Sequence, residues 1–164
     1  MNNMNGLSKY RYLPIFRDIP VEQLDQIESL FEYKEIPAGQ IVFSQGAEAT
    51  HLYILLTGKL SIRYKPYDGP ALTVASIIPG WVFGWSAVLD RETYTSTAVT
   101  VLQSSAFSLS RETLVKICCR NDDAGIIFLD RLTSIIADRL NQTPKQALGV
   151  LARAVESNIE GQCE

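Results

Sequence analysis

The chain has one histidine, His51, and three cysteines in 164 residues, and no excess of basic charge: 15 Lys and Arg stand against 18 Asp and Glu, a formal net charge of −3. Each shortage excludes a class of chemistry. A single imidazole cannot supply the several His or carboxylate ligands that a barrel-type metalloenzyme converges on one ion, and it leaves no nucleophile–base–orienter set to assemble. His51, at the start of a strand-like run beside a turn, reads as exposed or locally bonded. Cys118 and Cys119 are adjacent and Cys163 stands near the end, which gives neither a disulfide framework nor the roughly four thiolates of an iron–sulfur cluster. Leu114, Ile117 and Cys118 share a helical face, so Cys118 is expected as a small core residue. The acidic balance is a poor footprint for gripping nucleic acid. No stretch approaches the roughly 20 apolar residues of a membrane span, and the opening "MNNMNGLSKYRYLP" lacks an apolar signal core. The expectations are therefore a non-enzyme with no catalytic residue, no metal ligand and no cofactor, cytoplasmic and without a membrane partner.

What is present is a globular composition, 46% hydrophobic and 20% charged, in a chain long enough to bury a core. The segment "FRDIPVEQLDQIESLF" places Val21, Leu24, Ile27 and Leu30 or Phe31 at helical spacing behind a proline suited to a first turn. From Tyr33 to Leu109 short β-rich runs alternate with Gly and Pro: "QIVFS", "HLYILLT", "KLSIRYK", "ALTVASII", "STAVTV" and "SAFSLS". Gly58 divides two of them where a tight hairpin needs positive φ, and "PYDGP" makes a longer connection. Many short strands so spaced predict an antiparallel β-roll or jelly-roll, a double-stranded β-helix, mainly β with flanking helices. The run "DDAGIIFLDRLTSIIADRLNQ" predicts a long helix with Asp122 or Asp123 as N-cap. Ile126, Phe128, Leu129, Leu132, Ile135, Ile136, Ala137 and Leu140 sweep an apolar arc of roughly 200°, wider than one buried face requires. That width points to a homodimer, unless the last segment, with Thr143 as N-cap and Pro144 at the first helical position, folds back to cover it. The expected organisation is a β-roll unit with flanking helices over 14–120, a dimerisation-type helix over 121–142, and a C-terminal helix and tail over 143–164.

The run "IPAGQIVFSQGAEATHLYILLTGKLSI" followed by "IIPGWVFGWSAVL" resembles the cyclic-nucleotide-binding domain of the catabolite-activator type of bacterial regulators. The resemblance covers about Phe16 to Leu140. It rests on the Gly39, Gly46 and Gly58 turns, the "HLYILLTG" strand, and Pro79, Gly80, Phe83 and Gly84 at the opening of the phosphate-binding cassette. It implies a roll enclosing the cassette, an N-terminal helix and a long carboxy-terminal helix that dimerises. A glycine admits close backbone approach, and the short helix expected over Trp85 to Leu89 aims unsatisfied N–H groups at an anion.

Departures from the family pattern set the functional expectation. Members that bind cyclic AMP or cyclic GMP typically carry Glu after the cassette glycine and Arg some nine residues later, and the matching positions here hold Trp85 and Tyr94. Losing two charge-assisted contacts implies about 3 to 6 kcal/mol, two to four decades of affinity. The candidate ligand-binding set is Phe83, Gly84, Trp85, Ser86, Ala87, Tyr94, Thr95 and Ser96, with Thr97 adding a hydroxyl. Arg91 replaces the missing guanidinium only if the loop is shorter than this alignment supposes. Trp81 and Trp85 either fill the roll or stack on a ligand ring. The leading expectation is a regulatory domain sensing a nucleotide-like or other small molecule, with altered or lost cyclic AMP and cyclic GMP specificity, acting through a protein partner. Its competitor is a ligand-free dimerising scaffold whose pocket Trp85 and Tyr94 fill. Only 24 residues follow Leu140, against the order of 50 that a helix-turn-helix domain needs, so direct DNA binding is not expected.

Overall fold

The computed structural model describes residues 6–89, 91–120, 122–139 and 141. The expected segment 143–164, with Thr143 and Pro144, lies outside these residues, as does Leu140. A 3-10 turn, Leu7–Tyr10, precedes α1 (Val21–Glu28). Strands β1 (Glu32–Ile36), β2 (Ile41–Phe43), β3 (His51–Thr57), β4 (Leu60–Tyr64), β5 (Leu72–Ile77), β6 (Val82–Phe83), β7 (Thr97–Thr100) and β8 (Ser104–Ser110) follow, then α2 (Arg111–Arg120) and α3 over 123–139. The strands form two four-stranded sheets, β1-β8-β3-β6 and β2-β7-β4-β5, antiparallel throughout. This is the expected β-roll.

β3 shows why the sheets stack as they do. Its run is almost unbroken apolar, the pattern of a strand covered on both faces. Leu52, Ile54 and Leu56 join the core under the helices, while Tyr53 and Leu55 join the core inside the roll. β8, its neighbour, sends Phe107 and Leu109 to the helices and Ala106 to the roll. Gly58 ends β3 at φ 90°, and a Cβ there would stand 2.5 Å from the Gln103 carbonyl oxygen. The β3–β4 turn thus packs on the β7–β8 turn so closely that only glycine fits.

α1 buries Leu24 and Ile27, and α2 buries Leu114 and Ile117. Cys118 is exposed, contrary to expectation. The stripe that α2 buries ends at Ile117, and 100° further round, Cys118 has left it. α3 is capped by Asp122, whose Oδ1 accepts from the Gly125 N–H at 2.8 Å. Ala124, Phe128, Leu132 and Ile136 of α3 enter the helix-side core, with Ile127, Leu129 and Ile135 packed partly against it. Most of the wide arc is therefore spent within the chain, and Ile126 stays 50% exposed.

Candidate functional site

The short strand β6 delivers the chain to the cassette. It pairs with β3, Val82 opposite Ile54 and Phe83 opposite Tyr53, so Phe83 lies fully buried in the roll interior. Gly84 then turns the backbone at φ 78°, ψ 26°. A Cβ at this position would stand 3.0 Å from the His51 carbonyl oxygen, 3.1 Å from Tyr53 Cδ2 and 3.3 Å from Phe43 Cε1. Both the left-handed conformation and the close approach require glycine. One 3-10 turn follows, Trp85–Ala87, with Val88 and Leu89 amides donating to the Trp85 carbonyl at 2.9 and 3.0 Å. The helix is shorter than the sequence suggested, and its first amides face away from any internal partner, as at every helix start.

The candidate residues do not form one wall. Trp85 is half-buried and packs on the helix-side core rather than in the roll. Ser86 is half-buried and Ala87 buried. Tyr94 is 4% exposed and belongs to the roll interior. Its ring lies on Phe43 with centroids 3.9 Å apart and planes 15° apart. Its hydroxyl donates to the His51 carbonyl at 2.7 Å and accepts from the His51 amide at 3.1 Å. Tyr94 is thus committed to the start of β3. Thr95 is exposed and Ser96 half-buried. The Thr97 hydroxyl accepts from the Gln45 amide at 2.9 Å. Arg91 is exposed, and its carbonyl accepts from Arg111.

Residues that sequence reasoning missed complete the surroundings. Phe43, Tyr53, Phe83 and Tyr94 form a near-parallel aromatic stack, Tyr53 and Phe83 5.1 Å apart at 16°. Burial pushes the Tyr53 phenol up to about 12, with further contributions from Tyr94, which hydrogen-bonds it, and from the Glu32 carboxylate. It stays a neutral donor at physiological pH. Tyr53 shares the roll face of β3 with Leu55, but nothing local in the sequence marks Phe43 as its neighbour. Trp81 packs partly on the interior core, and the Arg139 guanidinium of α3 stands over its ring at 3.8 Å. His51 Nδ1 pairs with Thr50 Oγ1 at 2.8 Å. Outside the roll, a cleft of about 340 Å³ is lined by Glu48, Thr50, His51, Ser110, Arg111 and Glu112.

Chemically the arrangement offers backbone amides, hydroxyls and aromatic faces. Among the described residues no three His, Cys, Asp or Glu side chains gather as a metal site. No described helix is long and apolar enough to cross a membrane.

Comparison with known proteins agrees with the geometry. The sequence profile of the cyclic nucleotide-binding domain family matches residues 33–121. The chain is 27% identical over 129 residues to the cyclic AMP receptor protein of Thermus thermophilus, covering 79% of this chain and 58% of that one. It is 28% identical over 139 residues to a CRP-like cAMP-activated global transcriptional regulator of Mycobacterium tuberculosis, covering 85% and 54%. The chain thus spans somewhat more than half the length of these curated relatives. The crystal structure of a cyclic nucleotide-binding domain from Methylobacillus flagellatus superposes with a TM-score of 0.78 at 21% identity, covering 89% of this chain and 86% of that one.

Proposed function

Because the chain belongs to the cyclic nucleotide-binding domain family, we propose that it is a regulatory domain that senses a small ligand through cassette backbone and neutral side chains. Its preference for cyclic AMP and cyclic GMP is altered or lost, and its output passes through protein contacts. The observation that carries this reading is the pairing of a sterically intact turn, Gly84 at φ 78°, with uncharged neighbours at Trp85, Ser86, Ala87, Tyr94, Thr95 and Ser96. The turn preserves the approach that an anion or carbonyl needs, while the side chains give no fixed charge to hold a cyclic phosphate. This reading takes residues 14–120 as the sensing unit and the expected dimerisation-type helix over 121–142 as the element that carries its protein contacts. The role is regulatory rather than enzymatic, and the location is cytoplasmic.

Titration calorimetry tests this. Cyclic AMP and cyclic GMP bind no tighter than about 100 μM, and a low-micromolar constant for either overturns the altered preference. A thermal-shift panel of nucleotides and metabolites then identifies the ligand, which at a hundred times its dissociation constant adds about 2.7 kcal/mol.

The second reading, a ligand-free dimerising scaffold, draws support from the 3.9 Å stack of Tyr94 on Phe43 inside the roll. It is the better account if no compound in the panel shifts the melt. Both readings include a homodimer through the outer face of α3, where Ile126 is exposed. Light scattering reports twice the chain mass, and Ile126→Glu lowers it. Leu132 is unsuited to that test because it is buried in the chain's own core.

A further inference from the structure

Arg111 ties the cassette to the start of α2 by polar contacts, beside the apolar contact of Trp85 with the core that Leu114 and Ile117 enter. It is the first residue of α2, immediately after β8. Its side chain turns back to the cassette, where Nε donates to the Ala87 carbonyl at 3.0 Å and Nη2 to the Arg91 carbonyl at 2.5 Å. Its own amide donates to the Thr50 carbonyl at 2.9 Å. Ala87 closes the short cassette helix, and carbonyls at a helix end carry partial negative charge without internal donors. A planar guanidinium with donors on two edges satisfies two such carbonyls at once, which an ammonium does not.

The other end of the contact is locally unfavourable. A cation in the first position of a helix opposes the helix dipole. α2 is otherwise well started: Ser110 Oγ accepts from the Thr113 amide at 3.1 Å, and Glu112 lies in the first turn. A position that breaks a local rule is offset elsewhere, here by the two cassette carbonyls. α2 is tied onward, since Arg120 pairs with Asp122, the cap of α3, at 2.7 Å.

We propose that Arg111 is a positioning residue that couples the cassette to the first turn of α2. Moving the Ala87 and Arg91 carbonyls leaves an uncompensated cation at the start of α2 and loosens that turn. Loosening the turn in the same way releases the cassette, because coupling is reciprocal. The sensing reading supplies the physiological trigger for this device, but the coupling exists without any ligand and is tested without one.

Hydrogen exchange on the full chain provides the test. Arg111→Gln speeds exchange of the Val88, Leu89 and Arg91 amides, and of Leu114 and Val115 in α2, by at least about tenfold, while β3 amides stay unchanged. Arg111→Lys recovers part of the cassette protection. Ser110→Ala, which removes only the cap, loosens α2 and leaves the cassette alone. The sign in α2 is decisive. Without coupling, a neutral residue in place of the cation leaves the first turn as it was or tightens it, and that result overturns the proposal. A second variant guards against general destabilisation: Val88→Gly, at an exposed cassette position, speeds α2 exchange when Arg111 is present and not in the Arg111→Gln background. Equal effects in both backgrounds overturn the coupling. Retained reciprocity in a chain that ignores every nucleotide and metabolite of the thermal-shift panel keeps the coupling and removes the sensing reading instead.

Discussion

The two faces of the β1-β8-β3-β6 sheet carry aromatic cores of different geometry. Under the helices the rings meet edge to face: Tyr10 with Phe107 at 87°, Phe31 with Phe128 at 85°, Phe31 with Phe107 at 69°. Inside the roll they lie nearly parallel, with interplanar angles of 15° to 27°. Interlocked edges fix each ring against several neighbours, whereas parallel planes can slide with little loss of contact. The roll side also holds polar atoms. The Tyr53 and Tyr94 hydroxyls are bonded, but Ser108, opposite Tyr53 in the ladder and 2% exposed, has no partner for its hydroxyl among the described residues. One face is built to hold the fold, and the other to keep a flat, partly polar interior beside the cassette.

The largest effect should come from the interlocked side. Phe107→Ala removes a ring that contacts Tyr10, Phe16, Phe31 and Tyr33, and should cost about 3–5 kcal/mol in urea denaturation. A loss under 1 kcal/mol would mean that the helices are not cemented through this ring. On the roll side, Gly84→Ala combines a strained φ with three close contacts, for about 2–3 kcal/mol. It should also abolish any ligand-induced shift of the melt. A stable Gly84→Ala chain that still responds to ligand would show that the cassette turn is replaceable.

Next comes a pH effect confined to the roll side. Below about pH 10 the Tyr53 phenol is neutral in both folded and unfolded chains, and its contribution is complete. As pH rises toward its folded value of about 12, the unfolded phenol ionises first and stability falls, by on the order of 2 kcal/mol. Tyr53→Phe should remove that part of the alkaline loss. Identical alkaline slopes in both chains would place Tyr53 in a wetter setting than its burial indicates.

Most of the fold was legible because its causes are local. Six strand-like runs became β2, β3, β4, β5, β7 and β8, and Gly58 and Gly84 stand where positive φ demands them. β1 and β6 were harder to read. "EYKEI" has little apolar alternation, and Val82–Phe83 is only two residues, held by its pairing with β3. At the site, residue types could be read but not directions. Trp85 follows a left-handed glycine, and which layer it enters depends on the turn's exit angle rather than on its neighbours in sequence. Tyr94 looked like a ligand-facing position because spacing alone does not reveal that its hydroxyl reaches His51, 43 residues away. Arg111 gave a faint signal, a cation in the first turn of a helix, whose compensating carbonyls are distant in the chain.

The smallest expected effect lies where the helix layer meets the roll layer. Arg139, near the end of α3, holds its guanidinium 3.8 Å from the Trp81 ring centroid, and Trp81 itself packs on the interior core. Burial lowers the Arg139 pKa from the ordinary guanidinium value, but the group stays cationic, so the attraction to the ring face persists. A cation–π pair is worth about 0.5–1 kcal/mol at exposed sites and about 2 when desolvated. Here part of the gain is offset by the partial desolvation of the cation itself. The coupling between Arg139→Gln and Trp81→Leu in a double-mutant cycle should therefore be about 0.5–1 kcal/mol. Because Trp81 and Trp85 are the two tryptophans of the chain, the Trp81→Leu background leaves Trp85 as a reporter on the helix side. Loss of the clasp should leave its emission unchanged, since Trp85 packs on the other core. A coupling indistinguishable from zero would mean that α3 is held by its apolar contacts with the helix-side core, and that the two layers meet at Trp81 without energetic communication.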